Sequence, residues 1–199
     1  APALATPSWP LQAPALHCDI CIVGGGVTGV AVARDSAACG YRTIILERAA
    51  MIGGVWAVND YPGLRLHGPG FSYRCASLAP PWQHDAQTDR MYRPTQVELL
   101  SYIHEMAAHP NIRVQLHTSF VSHSGGRYKQ VNTSNGSFTS RAVVFATGTY
   151  EVTSGSPHWP IDPSSVSNGA CIVHSASFAA SCKRDVSNMS ISPGLAFSV

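Results

Sequence analysis

Charge is scarce in this chain. Asp, Glu, Lys and Arg make up only 12% of the 199 residues, and 13 basic against 11 acidic side chains leave a formal charge of +2. A set so balanced and scattered offers no basic stripe for a phosphate backbone, so nucleic acid is not expected as a partner. No stretch approaches the about 18 consecutive apolar residues of a membrane-spanning helix. The first sixteen residues, APALATPSWPLQAPAL, hold four prolines and no charge. They lack the basic start and apolar run of a signal peptide and are expected to be a flexible lead-in. Without such a signal the sequons at Asn132, Asn135 and Asn188 carry little weight, and a cytoplasmic location is expected.

Other absences exclude chemistries. No Gly-x-Ser-x-Gly elbow is present, so nucleophilic catalysis has no support. His104-Glu105-Met106-Ala107-Ala108-His109 resembles a zinc-protease signature but has one residue too many. Five residues apart on a helix, two side chains point about 140° apart and cannot share a metal. The six cysteines are irregularly spaced, and the apolar neighbours of several suggest buried thiols, the commoner state in a reducing compartment. Cys18 and Cys21 form a nominal CxxC, yet they lie in an apolar run that reads as a strand, whereas a redox pair needs a helix start.

What is present is enough apolar material, 45% of the chain, to bury one sizeable domain. Asp19 to Val23 reads as a strand covered on both faces, and Val27 to Cys39 as a helix stopped at Gly40. Arg42 to Leu46 is a second β-branched run, so these three pieces form a βαβ unit. Met51 to Trp82 has no period and is expected to be a long ordered loop. Pro94 to His109 has helical spacing, with Thr95 as N-cap and Glu98 completing a capping box. Ile112 to Val121, Tyr128 to Val131 and Ser137 to Phe145 are expected as strands in hairpin-like succession. Cys171 to Val173 reads as one more short strand. The domain is placed at 17–178, between the lead-in and an irregular tail at 179–199.

Gly24-x-Gly26-x-x-Gly29 follows a strand and opens a helix, the setting that makes a glycine pattern a dinucleotide fingerprint. Gly24 would permit the tight turn, Gly26 the approach of a pyrophosphate, and Gly29 close helix-to-strand packing. The helix N-terminus would face the negative charge. Glu47, 18 residues past Gly29, can accept hydrogen bonds from both ribose hydroxyls and would repel a 2′-phosphate. The same residues would also fit a glycine-rich turn beside a surface acid, and on these residues alone NAD and FAD remain equally open.

GGGVTG, LERAAMIGGVW, YPGLRL and VVFATGTY together resemble the flavin-containing monooxygenases, over about Asp19 to Phe178. The resemblance implies FAD as cofactor and an α/β fold: a Rossmann-like, FAD-binding three-layer domain with a parallel sheet plus a small antiparallel β-meander. It implies that Gly53, Gly54, Val55 and Trp56 lie along the flavin, that Val27, Thr28, Arg48 and Val121 also serve the cofactor, and that Thr147-Gly148 marks the crossing toward a second nucleotide domain. Such enzymes use NADPH and O2 to oxygenate a nucleophilic nitrogen or sulfur of a small molecule through a flavin C4a-hydroperoxide.

Three departures temper this expectation. Many relatives place an asparagine after the Tyr-x-x-x-Arg-Leu segment, where this chain has His67, a residue able to deliver a proton and so the candidate catalytic group. A family fingerprint ending in His-x-x-x-Phe is met by His174 and Phe178, but its first half falls on Asn168 and Ala170 with the glycine displaced to Gly169. Phe178 in place of tryptophan favours heteroatom oxidation over Baeyer-Villiger chemistry. Only 28 residues follow Cys171, fewer than the about 30 of a βαβ unit, so no NADPH domain is expected in these 199 residues. The alternative is a catalytically incomplete FAD-binding or Rossmann-like polypeptide. A disulfide reductase, the third reading, would need a helical CxxC.

Overall fold

The computed structural model describes residues 17–82 and 92–148. The lead-in, the Cys171–Val173 strand, the His174 fingerprint and the tail all lie outside the described residues. Asn59–Pro62 belong to a second compact unit, and the remaining described residues form the first.

The first unit is built on one sheet of six strands in the order β3-β2-β1-β6-β5-β4. Strands β1 (His17–Val23), β2 (Thr43–Leu46) and β3 (Ile112–Gln115) run parallel, and β1 pairs in parallel with the second half of β6 (Gly136–Phe145) on its other side. The first half of β6 pairs antiparallel with β5 (Lys129–Thr133), which pairs antiparallel with β4 (Phe120–Ser124). This is the expected α/β architecture with an antiparallel β-meander.

The sequence explains both faces of the parallel part. Side chains alternate across a strand, so Cys21, Val23, Ile44 and Leu46 share one face, where Val131 and Phe138 of the meander pack on them together with Phe120 and Val143. Ile22, on the opposite face, lies beside α1 (Val27–Ala38) at Gly29. Helix α1 packs on α3 (Gln96–Ala107), which buries Leu99, Tyr102, Ile103, Met106 and Ala107. Helices, sheet and meander thus make three layers. Each fully buried aliphatic side chain contributes about 1.5–3 kcal/mol, and the strand residues here are covered from both sides, which fixes their register.

Both helix ends follow from sequence. Thr95 caps α3 by accepting the Glu98 N–H, and the Glu98 carboxylate accepts the Thr95 N–H at 2.8 Å, a complete capping box. Helix α1 stops at Cys39, followed by Gly40 at φ +88. The loop expected over 51–82 contains only a short helix α2 (Val55–Val58) and a 3-10 turn at Gly70–Ser72.

One expectation needs correction. Ile112 to Val121 is not a single strand entering a hairpin. Its first four residues form β3 at the edge of the parallel sheet, and the chain turns at 116–119 before β4 begins. His117 takes φ 50, alone among the described non-glycine residues in being positive, and the His117 and Thr118 amides donate to the Ala49 and Glu47 carbonyls rather than to a ladder partner. Those bonds stop the strand, and residue-by-residue propensity does not register them.

Candidate functional site

The glycine pattern forms a tight backbone cradle at the carboxyl ends of β1, β2 and β6. Gly24 sits at φ +112, and a Cβ there would lie 2.4 Å from the Ala146 carbonyl oxygen, so only glycine fits. A Cβ on Gly29 would lie 2.0 Å from the Gly24 carbonyl oxygen, which is what lets α1 start so close to the strand. At Gly26 the space is open: the nearest atom to a Cβ would be the Gly54 Cα at 3.8 Å. Gly26 is also the N-cap of α1, with no side chain capping it and no acidic residue in the first turn. The first amides of a twelve-residue helix are therefore left without a side-chain partner, as an anion site requires.

Glu47 directly follows β2 and turns its carboxylate onto this cradle. Oε2 accepts the Gly25 N–H at 2.7 Å and Oε1 accepts the Ala49 N–H at 2.8 Å, leaving each oxygen a further lone pair. Gly25, which the sequence pattern treats as filler, is thus the residue that joins cradle and acid. The Gly25 carbonyl accepts the Gly53 N–H at 2.8 Å, so the 53–54 segment is fastened behind the loop. Gly53 and Gly54 adopt φ +135 and +57, and a Cβ on Gly54 would lie 3.0 Å from the Gly26 Cα.

The structure therefore brings together Gly24, Gly26, Gly29, Glu47, Gly53, Gly54 and the Ala146-Thr147-Gly148 turn, whose Ala146 N–H donates to the Val23 carbonyl at 2.8 Å. Val27 is half-buried at the start of α1, while Thr28, Arg48, Val55, Thr147 and Gly148 are exposed. Trp56 is buried at 8% exposure, packs edge-on against Tyr73 with ring centroids 6.0 Å apart, and its carbonyl accepts from Gln96 at 2.9 Å. Its indole nitrogen is buried without a hydrogen-bond partner, a donor left over for something else. Val121 is 64% exposed and sits at a break in the β4–β5 register between Phe120 and Ser122, which takes it out of the ladder. His67 is exposed, one residue past the Leu64–Leu66 segment that pairs with Pro94–Gln96 at the start of α3.

The rival motifs sit elsewhere. Cys18 and Cys21 are fully buried on β1, and burial pushes their thiols up to about 11 and about 12, the opposite of a reactive thiolate. His104 is buried on α3, and burial pushes its pKa below the usual histidine value, whereas His109 accepts the Asn111 N–H at 3.1 Å. Among the described residues no cluster of three metal-ligating side chains occurs, and no helix is long and apolar enough to cross a membrane.

Comparison with known proteins extends this geometry. The family model for pyridine nucleotide-disulphide oxidoreductases matches residues 21–161, most of the chain. This chain belongs to the pyridine nucleotide-disulphide oxidoreductase family. The FAD-binding monooxygenase lolF1 of Epichloe uncinata is 31% identical over 119 residues, covering 57% of this chain and 20% of that protein. The probable indole-3-pyruvate monooxygenase YUCCA1 of Arabidopsis thaliana is 26% identical over 162 residues, covering 79% of this chain and 37% of that protein. A steroid monooxygenase bound to NADP superposes with TM-score 0.53 at 27% identity, over 67% of this chain and 26% of the other. A cyclohexanone monooxygenase shares the fold at TM-score 0.50 and 24% identity, over 66% of this chain and 27% of the other. The chain thus spans about a fifth to a little over a third of the two curated relatives. The flavin-dependent monooxygenase resemblance read from GGGVTG, GGVW and ATG is the one these relatives carry.

Proposed function

We propose that this chain is the FAD-binding portion of a monooxygenase-like oxidoreductase, its domain running over 17–178, in a cytoplasmic setting. The observation that carries the reading is the Glu47 carboxylate held at 2.7 Å on the Gly25 amide beside an uncapped helix start. In this reading Gly24, Gly26, Val27, Thr28 and Gly29 cradle the diphosphate with backbone amides. Glu47 accepts from the adenosine ribose, Arg48 and Val121 flank it, and Gly53, Gly54, Val55 and Trp56 line the flavin side with the unpartnered indole N–H as a donor. Thr147 and Gly148 cover the diphosphate from β6. FAD, when bound and reduced by NADPH, supplies the oxygen chemistry, and the protein's part is to orient it and exclude water. His67 is the proton donor, and the oxygen acceptor is a small molecule with a nucleophilic nitrogen or sulfur.

FAD uptake tests the reading. The purified chain is expected to quench FAD fluorescence on binding, with NAD unable to displace it. Glu47→Gln removes the charge from a hydrogen-bonding site, which corresponds to roughly tenfold or greater weakening. A wild-type chain that stays colourless at saturating FAD, or a Glu47→Gln variant that binds as tightly, would sink the proposal. Substrate-stimulated NADPH oxidation, with the remaining length of a relative supplied as a separate polypeptide, separates an enzyme from the alternative of an inactive FAD-binding polypeptide. A second oxygenation reading, insertion beside a carbonyl, is favoured by the Baeyer-Villiger monooxygenase of Pseudomonas aeruginosa, 36% identical over 75 residues, 35% of this chain and 14% of that protein. Ketone against amine or sulfide substrates distinguishes the two.

A further inference from the structure

Glu47 is the hinge of the proposed site, and what holds it lies in the meander. Its backbone carbonyl accepts the Thr118 N–H at 2.9 Å, and the Ala49 carbonyl, two residues on, accepts the His117 N–H at 3.1 Å. The acid is therefore seated on the 116–119 turn. That turn contains His117 at φ 50, a left-handed conformation that a bulky L-residue seldom adopts unless its surroundings impose it.

One side chain spans the turn. The Asn135 amide nitrogen donates one proton to the His117 carbonyl at 3.1 Å and the other to the Thr118 hydroxyl oxygen at 2.9 Å. A carbonyl only accepts, so the His117 contact fixes which end of the amide faces the turn. The Thr118 hydroxyl, with the residue 3% exposed, passes its own proton to the Leu116 carbonyl at 2.8 Å. Asn135 is itself held in the β5–β6 hairpin, its N–H donating to the Thr133 hydroxyl at 3.2 Å and its neighbour Gly136 taking φ +120. Ser134 adds two more ties to Ser119, at 2.9 and 3.0 Å.

We propose that Asn135 is a positioning residue for Glu47: its amide locks the left-handed turn on which the acid rests, and so aims the carboxylate at the cradle from 88 residues away in sequence. The proposal rests on Glu47 being the ribose acceptor only for its consequence, not for the latch itself.

The test uses amide hydrogen exchange in the ligand-free chain, followed by FAD titration. Asn135→Ala and Asn135→Asp both remove the two donated hydrogen bonds, and Asn132→Ala is the control, since the Asn132 side-chain amide donates to the Ser122 hydroxyl at 3.0 Å along the meander, away from the turn. Loss of the latch is expected to speed exchange roughly fivefold or more at Thr118 and His117, and also at Gly25 and Ala49, whose amides are donated to the Glu47 carboxylate. Exchange along β1 is expected to stay as in the wild type, and FAD affinity to fall several-fold. The control is expected to change none of these. Unchanged exchange at Gly25 and Ala49, or a uniform rise that includes β1, overturns the positioning role. Unchanged FAD affinity with faster exchange at all four amides overturns its consequence for binding. If the wild type takes up no FAD, the functional reading fails while the four amides still decide the latch.

Discussion

The two ends of the parallel strands teach opposite lessons about what makes a site. At the amino ends, Asp19, Ile20, Tyr41, Arg127, Arg141 and Ala142 line a hollow of about 350 Å³. Its one carboxylate is already engaged: Asp19 accepts the Arg42 N–H at 2.9 Å and faces the Arg42 and Arg141 guanidinium groups at 3.7 and 3.8 Å. At the carboxyl ends the groups of the cradle are unfinished. Helix amides lack a side-chain cap, and a carboxylate is held in place with lone pairs to spare. Recognition needs preorganised donors and acceptors rather than room alone.

The sharpest way to break this comparison is Gly29→Ala. The new Cβ would meet a backbone oxygen at 2.0 Å, and backbone cannot swing aside as a side chain does. The loss is expected at about 3 kcal/mol or more, a fall of roughly 10 °C in melting temperature for a chain of this size. FAD uptake should vanish with it. A melting temperature within a few degrees of the wild type would show that the cradle is not built on that close approach.

Acid titration comes next. His104 is kept neutral by burial, with neither ring nitrogen bonded. Above its ordinary value near 6.5 the folded and unfolded chains bind equal numbers of protons, so nothing changes. As pH falls below that value the unfolded chain gains a proton that the folded one resists, and stability declines by at most about 1.4 kcal/mol per pH unit for each such group. His109, lowered by burial and by Arg34, adds to the same arm. Urea denaturation between pH 7 and 5 should show the decline, and His104→Leu should reduce it. Burial opposes ionisation of Asp35 and Glu98, but donors from Ser77 and Ala76 on the first, and from Tyr92 and Thr95 on the second, outweigh it and lower both carboxyls. Their stability is present above their ordinary values and is lost only as pH drops through the lowered ones, so this second arm lies below the histidine arm.

Thr95→Ala removes the hydroxyl that accepts the Glu98 N–H, leaving only the backbone half of the capping box, and should cost about 1 kcal/mol, read as a lower urea midpoint with unchanged FAD affinity. Asp19→Asn should matter least. Its arginine partners are 42% and 49% exposed, so each pair is worth well under about 1 kcal/mol. An effect on FAD binding larger than that of Gly29→Ala would reverse the assignment of the two ends.

The legible parts of the fold were those whose signal is local. Thr95 with Glu98, Gly40 after α1, and the Gly24, Gly26 and Gly29 spacing each report a backbone requirement met within a turn or two. The illegible parts depend on partners far along the chain. IRVQLHTSFV looks like one strand because its alternation is unbroken, yet the Ala49 and Glu47 carbonyls capture its middle. Gly25 passed as spacer because its role is to donate to Glu47, 22 residues later. Thr118 and Asn135 gave no signal, since a threonine and a turn asparagine are ordinary in every local respect.

By itself, then, the sequence determined the chemistry available at the cradle: which residues can occupy a left-handed turn, where a helix can start, and which acid ends the second strand. Those properties belong to single residues and their immediate neighbours. Tertiary structure alone decided where the acid points, which indole is left without a partner, and which turn carries the strain, because each depends on hydrogen bonds closed between segments that meet only when the sheet has formed.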